Sequence, residues 1–199
     1  MPVVDALLAT NRPEFFQNAY DQYFRQDYGP LFLSINDGEG THGAKMDALI
    51  RKARHDFFVI WDDDDFYSRD RVSKLMQPMI DDPEILCVGT SLVYYVDERS
   101  NRAWLYDNVK VMGGWRSNDS LFWLAAPCYR RVAYEKHGPW EDLKCGADLR
   151  FLHKLPRSRV VDLRDSKLMV CRIHDRNAAA KEPHPPGFRE VSMDEVPRL

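Results

Sequence analysis

Apolar positions along the 199-residue chain follow two rhythms, continuous short runs and recurrences three or four residues apart. Residues 3–9 are apolar apart from Asp5, which predicts a strand buried on both faces of a parallel sheet. Thr10-Asn11-Arg12-Pro13 interrupts it, with Asn11 placed to cap a helix and Pro13 to open one. Phe15, Phe16, Ala19, Tyr20, Tyr23 and Phe24 then recur at helical spacing until Gly29-Pro30, and residues 31–35 predict a second strand. The result is a strand–helix–strand unit, whose strand C-termini are where open α/β sheets bind ligands.

The same alternation continues. A glycine-rich acidic loop (residues 36–43) precedes a predicted helix over 45–54, with Met46, Leu49, Ile50 and Ala53 on one face. A third buried strand, 57–61, follows, and then a helix over 69–80 carrying Val72, Leu75, Met76 and Met79, stopped by Asp81-Asp82-Pro83. Strands are expected at 85–89 and 91–96, with a hairpin partner at 102–106. Residues 109–118 predict an irregular loop presenting Trp115, and 121–126 a buried apolar segment. Helices are expected at 130–136 and 147–155, and short strands at 160–163 and 167–173. The Pro-rich, charged residues 181–199 predict a peripheral tail.

The third strand runs straight into Asp62-Asp63-Asp64-Asp65. Adjacent carboxylates repel, and a buried charge is costly unless paired or metal-bound. At the mouth of a buried strand the run therefore points to a divalent cation, the alternative being a solvated acidic turn. Asp37, Asp142 and Asp148 are further candidate carboxylates. Asp148 opens a predicted helix, as a helix cap or as a general base, and Asp142 lies in the preceding loop with the weaker case. His174 ends a predicted strand and becomes a ligand only if the fold returns it to the aspartates.

Composition narrows the classes. With 44% hydrophobic and 30% charged residues the chain reads as one globular domain with a core of its own. No apolar run reaches the roughly 18–20 residues of a membrane span, and the N-terminus lacks a signal-peptide pattern. The four cysteines show no CxxC spacing, so free thiols in a reducing, cytoplasmic setting are expected. The net charge of −3 conceals an acidic first half, −8 over residues 1–99, and a basic second half, +5 over 100–199. An EF-hand fails because Tyr67 stands where its glycine belongs, and the P-loop, helix-turn-helix, zinc-finger and nucleophile-elbow patterns are absent.

Three segments agree in order, spacing and strand context with one family: Ala9-Thr10-Asn11-Arg12-Pro13, Ile35-Asn36-Asp37-Gly38, and Ile60 through Arg71 with its aspartate run. Two later stretches agree more loosely, His137-Gly138-Pro139-Trp140-Glu141-Asp142 with Gly146-Ala147-Asp148-Leu149, and Arg172-Ile173-His174-Asp175-Arg176-Asn177. Over roughly residues 3–178 the chain resembles the family 2 glycosyltransferases, nucleotide-sugar enzymes of the GT-A fold. The resemblance implies an α/β, Rossmann-like three-layer domain over 1–180, with a mostly parallel central sheet flanked by helices. Its first half (1–99) would bind the nucleotide sugar and its second (100–180) the acceptor.

Residue by residue, the resemblance puts Thr10, Arg12 and Lys45 near the nucleotide, with Asp37 accepting from a base N–H, which suits uracil. Asp62 would meet the ribose or the metal, Asp63 would support the nucleotide side, and Asp64 would bind Mn²⁺ or Mg²⁺, with His174 as an additional ligand. Asp65 would shape the turn. Asp148 would deprotonate the acceptor hydroxyl, with Asp142 as the alternative, because Ala147 replaces the family's usual Glu; Asn36 likewise replaces a usual Asp. The implied activity is metal-dependent, inverting transfer of a hexose or pentose from a nucleotide sugar, UDP by preference, as a single transfer rather than processive synthesis. The acceptor hydroxyl could belong to a glycan, a protein or modified nucleic acid, including a hydroxymethylated DNA base. A nucleotidyltransferase would need a basic glycine-rich loop after strand one, and a non-catalytic nucleotide-sugar-binding module is the other rival.

Overall fold

The computed structural model describes residues 1–111, 124–177, 183 and 187–198. In chain order the elements are β1 (Val4–Ala9), α1 (Phe16–Phe24), β2 (Leu31–Asn36), α2 (His42–Lys52), β3 (Phe57–Trp61), β4 (Phe66–Tyr67) and α3 (Arg71–Asp81). There follow β5 (Cys87–Thr90), β6 (Leu92–Asp97), β7 (Arg102–Asp107), α4 (Asn108–Val111), β8 (Ala125–Arg130), α5 (Arg131–His137), α6 (Ala147–His153), β9 (Val160–Asp162), β10 (Met169–Ile173) and β11 (Phe188–Val191). The expected Trp115 loop lies largely outside the described residues.

The central sheet has six strands in the order β2-β1-β3-β8-β5-β9. β1 is parallel to both neighbours, but β8 runs antiparallel between β3 and β5, so the sheet is mixed rather than uniformly parallel. Period-two alternation splits its strands between two cores. Leu7, Phe58 and Ile60 pack with Met46, Leu49 and Ile50 of α2 and Phe151 of α6. Ala6, Leu8, Val59 and Trp61 pack on the other face with Val72, Leu75 and Met76 of α3. Each large apolar side chain so enclosed stabilises the fold by about 1.5–3 kcal/mol. Asp5, the polar exception in β1, accepts from the backbone N–H groups of Arg54 and His55 at 3.1 Å each, which fixes the entry of β3.

A second sheet, β11-β7-β6-β10-β4, stands beside the first. Its hairpin β6–β7 is the predicted one, with Tyr94 opposite Leu105. The stretch 181–199 is not wholly a peripheral tail: β11 pairs with β7, and Phe188 packs against Tyr95 and Tyr106 because this otherwise charged segment carries one aromatic at an inward position. Short β4 matters more than its length suggests, since it joins the end of the aspartate run to β10.

The cysteines are all free, with Cys87, Cys128 and Cys171 buried and Cys145 exposed. Burial pushes the Cys128 thiol up to about 12, so it is an inert core group. Among the described residues no helix is long and apolar enough to cross a membrane.

Helix α2 starts earlier than its apolar periodicity implies because Thr41 caps it, its hydroxyl accepting from Ala44 N at 3.1 Å. Gly43, in the first turn, donates to Leu143 O at 2.9 Å, and a Cβ there would stand 2.0 Å from Glu141 O. The lack of a side chain lets the 141–147 loop press against α2. Gly43→Ala is expected to push that loop outward and to destabilise the chain by about 1–3 kcal/mol. Thermal unfolding of the variant beside wild type measures this.

Candidate active site

The C-terminal ends of β1, β2 and β3 point the same way, so the loops after them meet. Asp63, Asp64 and Asp65 are 1%, 5% and 3% exposed, and each is paired differently. Asp63 receives the Thr10 hydroxyl and the Arg12 guanidinium. Asp64 Oδ2 receives Arg12 Nη1 at 2.8 Å and Asn177 Nδ2 at 3.2 Å, and lies 3.0 Å from His174 Nε2. Asp65 accepts the backbone N–H of Arg172 at 3.0 Å and so ties the run to β10. Asp62 faces a cavity of about 220 Å³ that Asp64, Asp65 and Asp148 also line.

Burial works against the charge of Arg12, but Asp64 and Asp63 more than offset it and hold the guanidinium above its ordinary pKa. Arg12 also forms a wall of a second cavity, about 270 Å³, lined by Thr10, Lys45, Lys144 and Arg176. Carboxylates thus dominate one chamber and cations the other. Lys45 is 5% exposed, and its Nζ donates to Thr10 O at 3.2 Å, securing the end of β1. The wall common to both chambers contains Arg12, His42, Lys144 and Asn177.

The two alternative base residues are separated by the fold. Asp148 lines the carboxylate chamber in the first turn of α6, whose N-cap is Gly146 in a left-handed conformation (φ 77°), so Asp148 is not the cap. Asp142 is exposed and receives the Thr41 hydroxyl at 2.5 Å, outside both chambers. Asp37 is also exposed and lines neither chamber. Its neighbour Asn36 is a brace, with Nδ2 donating to Lys45 O and Oδ1 accepting Gly38 N, both at 3.2 Å.

Asp64 and His174 supply the oxygen and nitrogen donor types that divalent transition ions take. Here Asp64 Oδ2 and His174 Nε2 are at hydrogen-bonding distance, 3.0 Å, while His174 Nδ1 accepts Arg176 N at 3.1 Å. Among the described residues no group of three or more His, Cys, Asp or Glu side chains is arranged to hold a metal ion. Ions of this class are commonly held by one or two carboxylates, with substrate phosphates and water completing the shell.

Several contributors escape a reading of the sequence. Asn18 of α1 donates to Asp63 O at 2.9 Å and Asp65 O at 3.1 Å, holding the backbone of the run. Arg71 is 1% exposed and donates to Ile60 O at 2.6 Å and Ala126 O at 2.9 Å, while its guanidinium lies 3.9 Å from the Tyr67 ring centre. Tyr67 in turn accepts Asp62 N at 2.9 Å, so Arg71 braces the strand end from below. Asn177 has a signal in the Arg172–Asn177 pattern; Asn18, His42 and Lys144 have none beyond their polarity in otherwise ordinary segments.

A family model described as glycosyl transferase family 2 matches residues 13–138. No curated protein matches the chain by sequence. Among solved structures, TarS 1-349 from S. aureus in complex with UDP-GlcNAc is similar at TM-score 0.62 and 14% identity, over 89% of this chain and 60% of that one. The mannosyltransferase PcManGT from Pyrobaculum calidifontis, in complex with GDP-Man and Mn²⁺, gives 0.62 and 17% over 89% and 59%. Glucosyl-3-phosphoglycerate synthase from Mycobacterium tuberculosis, with Mn²⁺, UDP and glucosyl-3-phosphoglycerate, gives 0.59 and 13% over 88% and 73%. At these identities the likeness is one of fold, and the chain spans about 60% of the TarS fragment.

Burial holds the His42 imidazole below its ordinary pKa of 6.5, against the opposing pull of Asp148 and Asp63. The unfolded chain therefore takes up that proton before the folded chain does, and stability falls as pH drops below 6.5. His42→Gln is expected to lose less of its thermal stability than wild type between about pH 7.5 and about pH 5.5, as read by unfolding curves at both.

Proposed function

Because the chain belongs to glycosyl transferase family 2, we propose that it carries out metal-dependent, inverting sugar transfer from a nucleoside diphosphate sugar to an acceptor hydroxyl. The observation that carries this reading is the contact of His174 Nε2, at 3.0 Å, with Asp64 of the acidic chamber, beside the Arg12 that this chamber shares with a basic one. The basic chamber, with Lys45, Lys144 and Arg176, suits the diphosphate. Thr10 and Arg12 stand at its edge, and Asp37 reads the base from the loop after β2. UDP is the preferred carrier, as UDP or UDP-GlcNAc accompanies two of the three similar structures and GDP-Man the third.

Asp64 and His174 would hold the ion, with Asp62 on the ribose or metal side. A bound divalent cation supplies charge neutralisation of the leaving diphosphate. Asp148 takes the proton of the acceptor hydroxyl as that oxygen bonds to the anomeric carbon. The bond from that carbon to the diphosphate oxygen breaks, and its electron pair leaves with the diphosphate. Asp148 is favoured over Asp142 because it lines the acidic chamber, whereas Asp142 is engaged by Thr41. Residues 1–99 then serve the nucleotide and 100–180 the acceptor, whose hydroxyl belongs to a glycan, a protein or a modified nucleic acid.

Calorimetry with UDP, with and without Mn²⁺, followed by turnover of a panel of UDP-sugars, tests the reading. Asp64→Ala is expected to lose Mn²⁺-dependent UDP binding, and retained metal-dependent turnover would remove Asp64 from the metal role. Asp148→Asn should bind UDP like wild type and transfer sugar about 10²–10⁴-fold more slowly. Undiminished transfer would place the base elsewhere.

A further inference from the structure

Asp64 already has a cation. Arg12 Nη1 donates to its Oδ2 at 2.8 Å, while Nε and Nη2 of the same guanidinium engage both oxygens of Asp63. Asp64 Oδ2 also receives Asn177 Nδ2 at 3.2 Å and stands 3.0 Å from His174 Nε2. A carboxylate oxygen offers two lone-pair directions, and three polar contacts use them up. An ion bridging Asp64 Oδ2 and His174 Nε2 must therefore displace the guanidinium. It would otherwise share a largely dehydrated cluster with a like charge, because Asp63 and Asp64 are only 1% and 5% exposed.

The displaced guanidinium has a destination. Arg12 lines both chambers, and in the basic one it stands beside Thr10, Lys45, Lys144 and Arg176. Its fork of donors matches the paired oxygens of a diphosphate as well as it matches two carboxylates. Its hold on the Arg176 carbonyl, 2.8 Å from Nη1, lies at that same wall.

We propose that Arg12 makes divalent-ion binding conditional on the diphosphate. In the free protein it keeps the ion's place on Asp64; a nucleoside diphosphate draws it off and opens Asp64 and His174 together. This rests on the metal-dependent reading above and assigns Arg12 a specificity-determining part within it. An ion alone competes with Arg12, a nucleoside lacking phosphate cannot recruit it, and the diphosphate and ion arrive as a pair.

Manganese binding to the full chain, followed by the paramagnetic resonance of free Mn²⁺, tests this without a turnover assay. Wild type should bind Mn²⁺ weakly alone and about 10-fold or more tightly with UDP, and uridine should not substitute for UDP. Arg12→Gln should bind Mn²⁺ without nucleotide about 10-fold more tightly than wild type and gain little from UDP. Arg12→Lys, which keeps the charge but loses the fork, should fall between them. Equal nucleotide-free affinities in wild type and Arg12→Gln, with UDP-dependent binding intact in wild type, would overturn the Arg12 assignment alone. Absence of Mn²⁺ binding by wild type even with UDP would overturn the metal reading and this assignment together. If circular dichroism shows Arg12→Gln unfolded, Arg12→Lys decides, and an affinity no tighter than wild type overturns the proposal.

Discussion

Three consecutive carboxylates are buried at the end of one strand, and the cost of enclosing them dictates what surrounds the site. Arg12 bridges two of these neighbouring like charges, and the remaining partners come from separate parts of the chain. Asp63 turns to Thr10 and Arg12 of the first loop, Asp64 to Arg12, His174 and Asn177, and Asp65 to the backbone of β10. Asn18 holds the intervening carbonyls, and Arg71 supplies a buried positive charge beneath. Removing the acids would leave Arg12 and Arg71 as the uncompensated groups, so the dependence runs both ways.

The sheet architecture makes this convergence geometrically cheap. Parallel β1, β2 and β3 deliver their loops to one edge, and the antiparallel β8 brings Ala126 to the same edge from the opposite direction. β10 belongs to the second sheet, and its pairing with β4 sets the distance from the aspartates to His174. On the other flank the close approach of Gly43 to the 141–147 loop carries Asp148 to the acidic chamber while leaving Asp142 on the outside.

The first half of the fold is legible in the sequence because its signals are local. Strands 57–61 and 31–35 are short apolar runs between breakers, and α3 shows its core face in Val72, Leu75, Met76 and Met79. The aspartates stand out by their strand-end position, whereas Thr10, Arg12 and Lys45 are marked by the resemblance to the family. The second sheet is less legible. Two-residue β4 has no periodicity to detect, β8 mixes small residues with Pro127 and Cys128, and β11 hides in a charged stretch. Asn18 acts on carbonyls 45 and 47 positions away and Arg71 reaches Ala126 across 55, contacts that no spacing rule encodes. The different placements of Asp148 and Asp142 likewise needed the fold, since both sit in one loop-to-helix passage and only Asp148 lines the acidic chamber.

The links from Asp65 to Arg172 and from Asp64 to His174 span 107 and 110 positions. In a chain synthesised from its N-terminus, the acidic run leaves the ribosome long before the segment that neutralises it. Until β10 and the residues after it are made, Asp65 lacks the backbone N–H of Arg172, and Asp64 lacks His174 and Asn177. The matched stretch 13–138 contains the acids but neither His174 nor the strand that carries Arg172. The contacts that complete the pairing of Asp64 and Asp65 therefore come from chain made after the whole of that stretch.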